Sequence, residues 1–508
     1  MNDHSYSHKN IRTVLSQSII FLLSRYIRIL FDLIHGIVIA KFLGPALFGL
    51  RNVLLLMLKY ETSSDLGTYN AMVREVPYYR GSEKREKASR IMTSVFSVNM
   101  LYAMIAGLIF IFVSLYMRSI GMEAEYGDIV FFFGLFIIAN KAKHYYSYKF
   151  IIDKKIILLS RLDIFSGINS VIICIPLVYY FSLRGLFVGL LIVDLVHIGL
   201  ILIIEKPRHS MSISFPTIRE LIKIGFPMTI TLLSVTLLTS TDRIMVITML
   251  SEEDLGYYGI AAIIIYIVYS VPEIIHSIFS PRFMEKLGQT KDPQQIKNYF
   301  IEPTVLIAYF IPYLLSAFYF SIHMPINYFL VKFVPSIQVV KILVPGLFFG
   351  AVSTLPLFIC YALNTQIRII FIAVPMILLN ATLNYFFILT GWGINGVALG
   401  TDISNFVFCS LMIWYTLRQF SPSAGEHIRF FTLIYAPFLY ALILLLAIDD
   451  FLSLSTHDFW GDIRDVSFKI VVFSLLFSFI FVIVKSHPVF VKLIGGLTSR
   501  YASGNQRG

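Results

Sequence analysis

The chain has 508 residues, 57% of them hydrophobic, and a mean hydropathy of +0.78. A soluble chain of that length does not carry so much apolar surface, so a water-soluble catalytic domain is excluded and an all-α polytopic membrane protein is expected. The formal net charge of +11 is spread over many short connections, which points to membrane topology and anionic headgroups and away from nucleic acid.

A helix needs about 20 apolar residues to cross the hydrocarbon layer. Fourteen runs have that length: 15–42, 47–73, 91–115, 129–148, 156–181 and 186–204 in the first part, then 221–250, 255–279, 300–322, 339–363, 367–389 and 396–417, and finally 430–447 and 466–484. Proline interrupts several of them, as at Pro176, Pro227, Pro312, Pro356 and Pro375. In a bundle such breaks are tolerated as kinks. Most of the 41 Lys and Arg fall on one set of connections, among them Arg74, Arg80, Lys84, Lys141, Lys143, Lys149, Lys154 and Lys155. Alternate connections are acidic, with Glu252, Glu253, Asp254, Asp449 and Asp450. The positive-inside rule then places both termini in the cytoplasm.

Ionisable groups inside the runs carry the functional signal, because a charge at mid-bilayer costs roughly 2.5–3.5 kcal/mol on insertion scales. Span one holds Arg25, Arg28, Asp32 and His35 within an arc of about 80°, with Arg28 and Asp32 placed to pair at i,i+4. Span two adds Lys59, Glu61 and Asp65, span six Asp194 and His197, span seven Asp242 and Arg243, and span eight Glu273 and His276. Two readings stand side by side. Neutralised ion pairs would only fix helix packing, and Arg25 would snorkel to the surface. Cavity-facing guanidinium groups would instead bind an anionic, phosphorylated substrate, with acids and histidines serving ion or proton coupling.

The chain also looks duplicated at a spacing of about 210 residues. Leu43–Leu50 ends the first span and starts the second, and Leu250–Tyr257 does the same between spans seven and eight. Arg184-Gly185 and Asn395-Gly396 enter spans six and twelve. The expected organisation is two pseudo-symmetric six-helix lobes, 1–210 and 211–420, enclosing a central cavity, then a helix pair and cytoplasmic tail at 421–508. Cys174, Cys360 and Cys409 all lie within spans, without metal-type spacing. There is no phosphate-cradling Gly-rich loop and no assembled catalytic triad, so a transporter without metal or cofactor is expected rather than an enzyme.

Ala40-Lys41-Phe42-Leu43-Gly44-Pro45 through Gly49, Asp65-Leu66-Gly67, Arg74-Glu75-Val76-Pro77, Gly225-Phe226-Pro227, Asp242-Arg243 and Leu255-Gly256-Tyr257-Tyr258 together resemble Wzx-like O-antigen and exopolysaccharide flippases. These form the polysaccharide transport branch of the multidrug/oligosaccharidyl-lipid/polysaccharide exporter (MOP) superfamily. The resemblance implies alternating access in the bacterial inner membrane, moving undecaprenyl-diphosphate-linked oligosaccharide units for O-antigen, capsule or exopolysaccharide. It makes Arg25, Arg28, Arg243 and Lys59 the cations that meet the diphosphate. Asp32, Glu61, Asp65, Asp242 and Glu273 would then serve charge balance or ion coupling. Membrane lipids, and a polymerase and chain-length regulator of the same pathway, are the implied partners. A cation-coupled multidrug extruder is the competing transporter, and it predicts a cavity dominated by acids. A membrane polysaccharide polymerase would need a sizeable outward catalytic loop, which residues 117–128 and 323–338 are too short to supply.

Overall fold

The structure is a computed structural model that describes residues 3–206, 211–290, 294, 297–363, 365–420, 423–452 and 458–484; within these, the side chains of 3–23, 25, 274, 276–290, 483 and 484 are left undescribed. Regular structure among the described residues is entirely helical. In chain order the helices are α1 Asp3–Glu61, α2 Thr68–Gly81, α3 Arg85–Ser119, α4 Ala124–Ile152, α5 Ile156–Asn169, α6 Ile175–Glu205, α7 Phe215–Leu238 and α8 Thr241–Met249. They continue with α9 Glu252–Thr290, α10 Lys297–Ser321, α11 His323–Phe329, α12 Ser336–Ala362, α13 Ile367–Leu389, α14 Gly393–Arg418, α15 Ala424–Phe451 and α16 Phe459–Val484.

Eleven segments among the described residues are long and apolar enough to span a membrane. Two of them are composite. The segment Tyr26–Asp65 contains the joint at Gly44, whose φ of 71° is available to glycine and is followed by Pro45. An unbroken helix as long as α1 would measure about 88 Å at 1.5 Å per residue, so this joint divides it into two membrane-length pieces. Ile156–Glu205 is divided in the same way by a wide turn at Ser170–Cys174 and a break at Ser182. α4 is the remaining span of the expected set; it is long enough, but its lysines dilute its apolar character.

Two compact units form, Met1–Gly259 and Ile260–Gly508. The first therefore holds α7, α8 and the start of α9 in addition to the six spans that the repeat assigned to 1–210. Its core joins Tyr69, Met72 and Val76 of α2 to Ile91 and Val95 of α3, Tyr145 and Phe150 of α4, and Leu221 of α7. Helices in lipid gain no hydrophobic driving force from one another, so close packing at small residues holds them. Gly67, at a φ of +82°, lies so near Gly225 of α7 that a Cβ on either would meet the other's backbone at 2.1–2.3 Å. The second unit packs aromatic rings instead: Phe349 sits 4.6 Å from Phe438 and 5.2 Å from Phe406, and Tyr313 lies 5.1 Å from Phe477.

The two motifs that the expected duplication pairs touch each other. A Cβ on Gly49 would lie 1.8 Å from the Glu252 carbonyl oxygen, and one on Gly256 would lie 2.0 Å from the Pro45 carbonyl oxygen. In the repeat, Gly49 corresponds to Gly256 and Pro45 to Glu252, so the two contacts are reciprocal. Asn52 faces its own counterpart, Gly259. Segments 43–52 and 250–259 thus pack as a local two-fold axis would require.

Candidate functional site

Two interrupted helices meet inside the first unit. α1 stops at Glu61, a tight turn covers Thr62–Asp65, and α2 restarts at Thr68. α7 stops at Leu238 and α8 restarts at Thr241. At their junction Tyr60 and Ser240 share a 2.5 Å hydroxyl hydrogen bond, and Lys59 Nζ reaches Thr239 Oγ1 at 3.5 Å. Helix breaks free backbone carbonyls and N–H groups within the membrane, and transporters use such breaks to build sites.

An acid steadies each restart. The buried Asp65 carboxylate accepts from the Gly67 N–H at 3.1 Å and the Tyr69 N–H at 2.9 Å. Asp242, also buried, accepts from the Arg243 N–H at 2.8 Å and from the Tyr258 hydroxyl at 2.7 Å. Anionic groups at helix N-termini are stabilised there by the freed amides and the helix dipole.

The cations at this junction are less occupied. Arg243 donates from Nη2 to the Thr239 carbonyl at 3.0 Å, while its Nε, sealed from solvent, has no partner among the described residues. Its Nε lies 3.9 Å from the Asp242 carboxylate, a contact too long for a hydrogen bond. Lys59 is exposed, and its ammonium lies within the electrostatic reach of Arg243 and Asp242. Two positive groups therefore converge where one acid is already satisfied by a tyrosine and an amide. Such an arrangement favours an anion with several acceptor oxygens.

Other charges of the first unit are closed in pairs. Arg28 holds Asp32 at 2.8 Å and donates to the Asp163 carbonyl of α5 at 3.1 Å; it shares no hydrogen bond or ion pair with Lys59 or Arg243 among the described residues. Lys143 of α4 pairs with buried Asp194 of α6, which also accepts from Asn140 at 3.0 Å. His197 is hydrogen-bonded to Ser166 at 2.7 Å. Lys141, only 1% exposed, lies 3.2 Å from Glu61 and caps the end of α1 through the carbonyls of Glu61 and Thr62 and the Ser64 hydroxyl. The charge pattern assigns Lys141 and Lys143 to a connection, although the run 129–148 contains them; they lie inside α4, where Glu61 and Asp194 take their charges.

Glu273 is half-buried in the second unit. Arg25 and His276 fall among the undescribed side chains, as do Lys9 and Arg12, and the cationic tail beyond 484 lies outside the described residues. No group of three or more metal-type ligands occurs among the described residues. Outside the spans, the connection after α4 carries Asp153. Burial pushes its carboxyl up, but Lys149 at 2.9 Å and Arg80 at 2.8 Å outweigh that and hold it below the usual carboxylate range.

The fold is that of a MOP superfamily transporter. An inward-facing multidrug resistance MATE transporter of that superfamily aligns with a TM-score of 0.60 at 14% identity, covering 80% of this chain and 98% of the other. A MOP superfamily transporter from Pyrococcus furiosus, described as having a binding pocket of reverse polarity, gives 0.57 at 14% identity over 80% and 95%. An outward-facing MATE transporter gives 0.55 at 15% identity over 80% and 95%. No curated protein matches the sequence. Residues 38–332 match the polysaccharide biosynthesis protein family, and the chain belongs to it.

Proposed function

We propose that this multi-pass membrane protein is a flippase. It would move undecaprenyl-diphosphate-linked oligosaccharide units across the bacterial inner membrane by alternating access of its two repeats, with both termini cytoplasmic. The carrying observation is the convergence of Lys59 and Arg243 at the meeting of two broken helices, beside an acid already satisfied. A diphosphate supplies the acceptor oxygens that a guanidinium fork and an ammonium are built to take. Membership of a polysaccharide biosynthesis family supports a sugar-bearing substrate. The inward- and outward-facing forms of proteins with this fold support alternating access. Arg28 contributes less to the binding charge, since Asp32 offsets it.

The multidrug reading requires open acids at the site, and Asp65, Asp242 and Asp194 are occupied by amides, a hydroxyl or a lysine. The test is complementation of a flippase-deficient strain, scoring surface polysaccharide. Arg243→Ala and the double change Lys59→Ala/Arg243→Ala are expected to lose it, while Arg243→Lys keeps part. Wild-type surface polysaccharide from the double variant, at normal abundance in the membrane, overturns the proposal.

A further inference from the structure

The second unit contains a cavity of about 460 Å3 among α10, α12, α14 and α15. Its walls are mostly apolar, with Phe349, Phe406 and Phe438 grouped within ring-contact distance. One acid, Asp402 of α14, lines it. Its Oδ1 is sealed from solvent and has no hydrogen-bond partner among the described residues. The carboxyl is seated against α12 at Gly346, where a Cβ would come within 1.8 Å of Oδ1. A glycine on one helix thus leaves the room that the acid of another helix fills.

Among the described residues no cation pairs with this group. Lys341 shares the cavity wall but is paired with Asp449 at 2.6 Å, and the Tyr319 hydroxyl is turned to the same aspartate at 3.4 Å. A carboxylate lined by apolar groups without a partner is heavily penalised, and uptake of a proton or of an entering cation in its place removes the penalty. A bare metal ion needs several oxygen ligands, and one carboxylate does not provide them. The volume falls within the roughly 300–1,000 Å3 of small-molecule sites. Aromatic faces also attract organic cations.

We propose that this cavity binds a lipophilic organic monocation, with the charge on Asp402 and the apolar body against the phenylalanines. The inference concerns the second unit alone and stands independently of the lipid-linked substrate. The purified full chain in nanodiscs is titrated with tetraphenylphosphonium by equilibrium dialysis, with triphenylphosphine oxide as the uncharged comparison. Saturable binding is expected for the cation only. It weakens by about tenfold or more in Asp402→Asn, as for a lost charge-assisted contact, and comparably in Gly346→Ala, whose methyl displaces the carboxyl. Glu125→Gln, at an exposed position, binds as wild type does.

A second measurement needs no variant. Dicyclohexylcarbodiimide, an apolar reagent for buried carboxyls, is expected to label Asp402, and saturating tetraphenylphosphonium is expected to suppress that label in the mass spectrum. Equal binding of the neutral compound, unchanged affinity in Asp402→Asn, or labelling indifferent to the cation overturns the proposal. So does the absence of saturable binding to the wild-type chain.

Discussion

Both units close charges in pairs, such as Lys141 with Glu61 in the first and Lys469 with Asp465 in the second, but the groups they leave open have opposite sign. In the first, Arg28 faces Asp32, Lys143 faces Asp194 and Lys141 faces Glu61, while Asp65 is held by two amides and Asp242 by an amide and a tyrosine hydroxyl, which leaves Arg243 Nε unpartnered among the described residues. In the second, Asp402 sits in an aromatic cavity with one oxygen unpartnered. Burial alone therefore does not assign a role to an ionisable group in a membrane. A closed pair is part of how the helices hold together, whereas an open group is available to a ligand. By that criterion Lys59 and Arg243 are the open groups of the proposed anion site, and Asp402 is the open group of the proposed cation site.

The largest expected effect tests the closed pairs. Lys141→Ala leaves Glu61 and two carbonyls without their ammonium and should cost about 3–5 kcal/mol, the usual cost of breaking a buried pair. Unfolding of the purified protein in detergent measures it. Adding Glu61→Gln should recover part of the loss, and no recovery would mean that the pair is not coupled. Next comes Arg243→Ala, which should lower transport of the lipid-linked substrate at least about tenfold, as for a lost charge-assisted hydrogen bond. Its unfolding midpoint should stay near that of wild type, and an equal loss of stability would move Arg243 into the structural group.

Gly225→Ala should destabilise by about 1–3 kcal/mol, because the added methyl meets the Gly67 carbonyl and one backbone must shift. Asp402→Asn should change stability by less than about 1 kcal/mol, since no partner is orphaned. A cost as large as that of Lys141→Ala would erase the contrast between the units. The smallest effect lies at the surface. Asp153 is held below its ordinary range, so its contribution is complete above the unfolded value near 3.9 and is lost as pH falls through the lower folded value. Asp153→Asn should therefore flatten the stability profile below about pH 4 by at most about 1 kcal/mol. An unchanged acid limb would show that the Lys149–Asp153–Arg80 contacts contribute nothing.

Spans and joints were legible in the sequence because hydropathy and Gly-Pro steps act locally. Gly44-Pro45 marks the end of the first span in both views. Arg243 and Lys59 could be singled out as cations within apolar runs, and their meeting could not, since it depends on Thr239 lying at a helix break 180 residues from Lys59. Lys141 looked like a connection residue because a lysine near a span end is ordinarily assigned to the surface. Its true setting is fixed by Glu61, which arrives from another helix. Asp402 gave no signal of its own. A single acid in an apolar run is noticed through neighbouring charges, and what makes it unusual is the missing partner together with the space at Gly346.

The seam between segments 43–52 and 250–259 has a consequence for how such a protein can change. In a homodimer, a residue on the dyad meets its own copy, and any replacement there is made twice. Here the position is held by Asn52 on one side and Gly259 on the other, with the amide Nδ2 only 1.9 Å from where a methyl on the glycine would be. A side chain on Gly259 would collide with the asparagine already there. Because both segments belong to one chain, each side of the seam can be changed by itself, and the position is filled by two unlike residues.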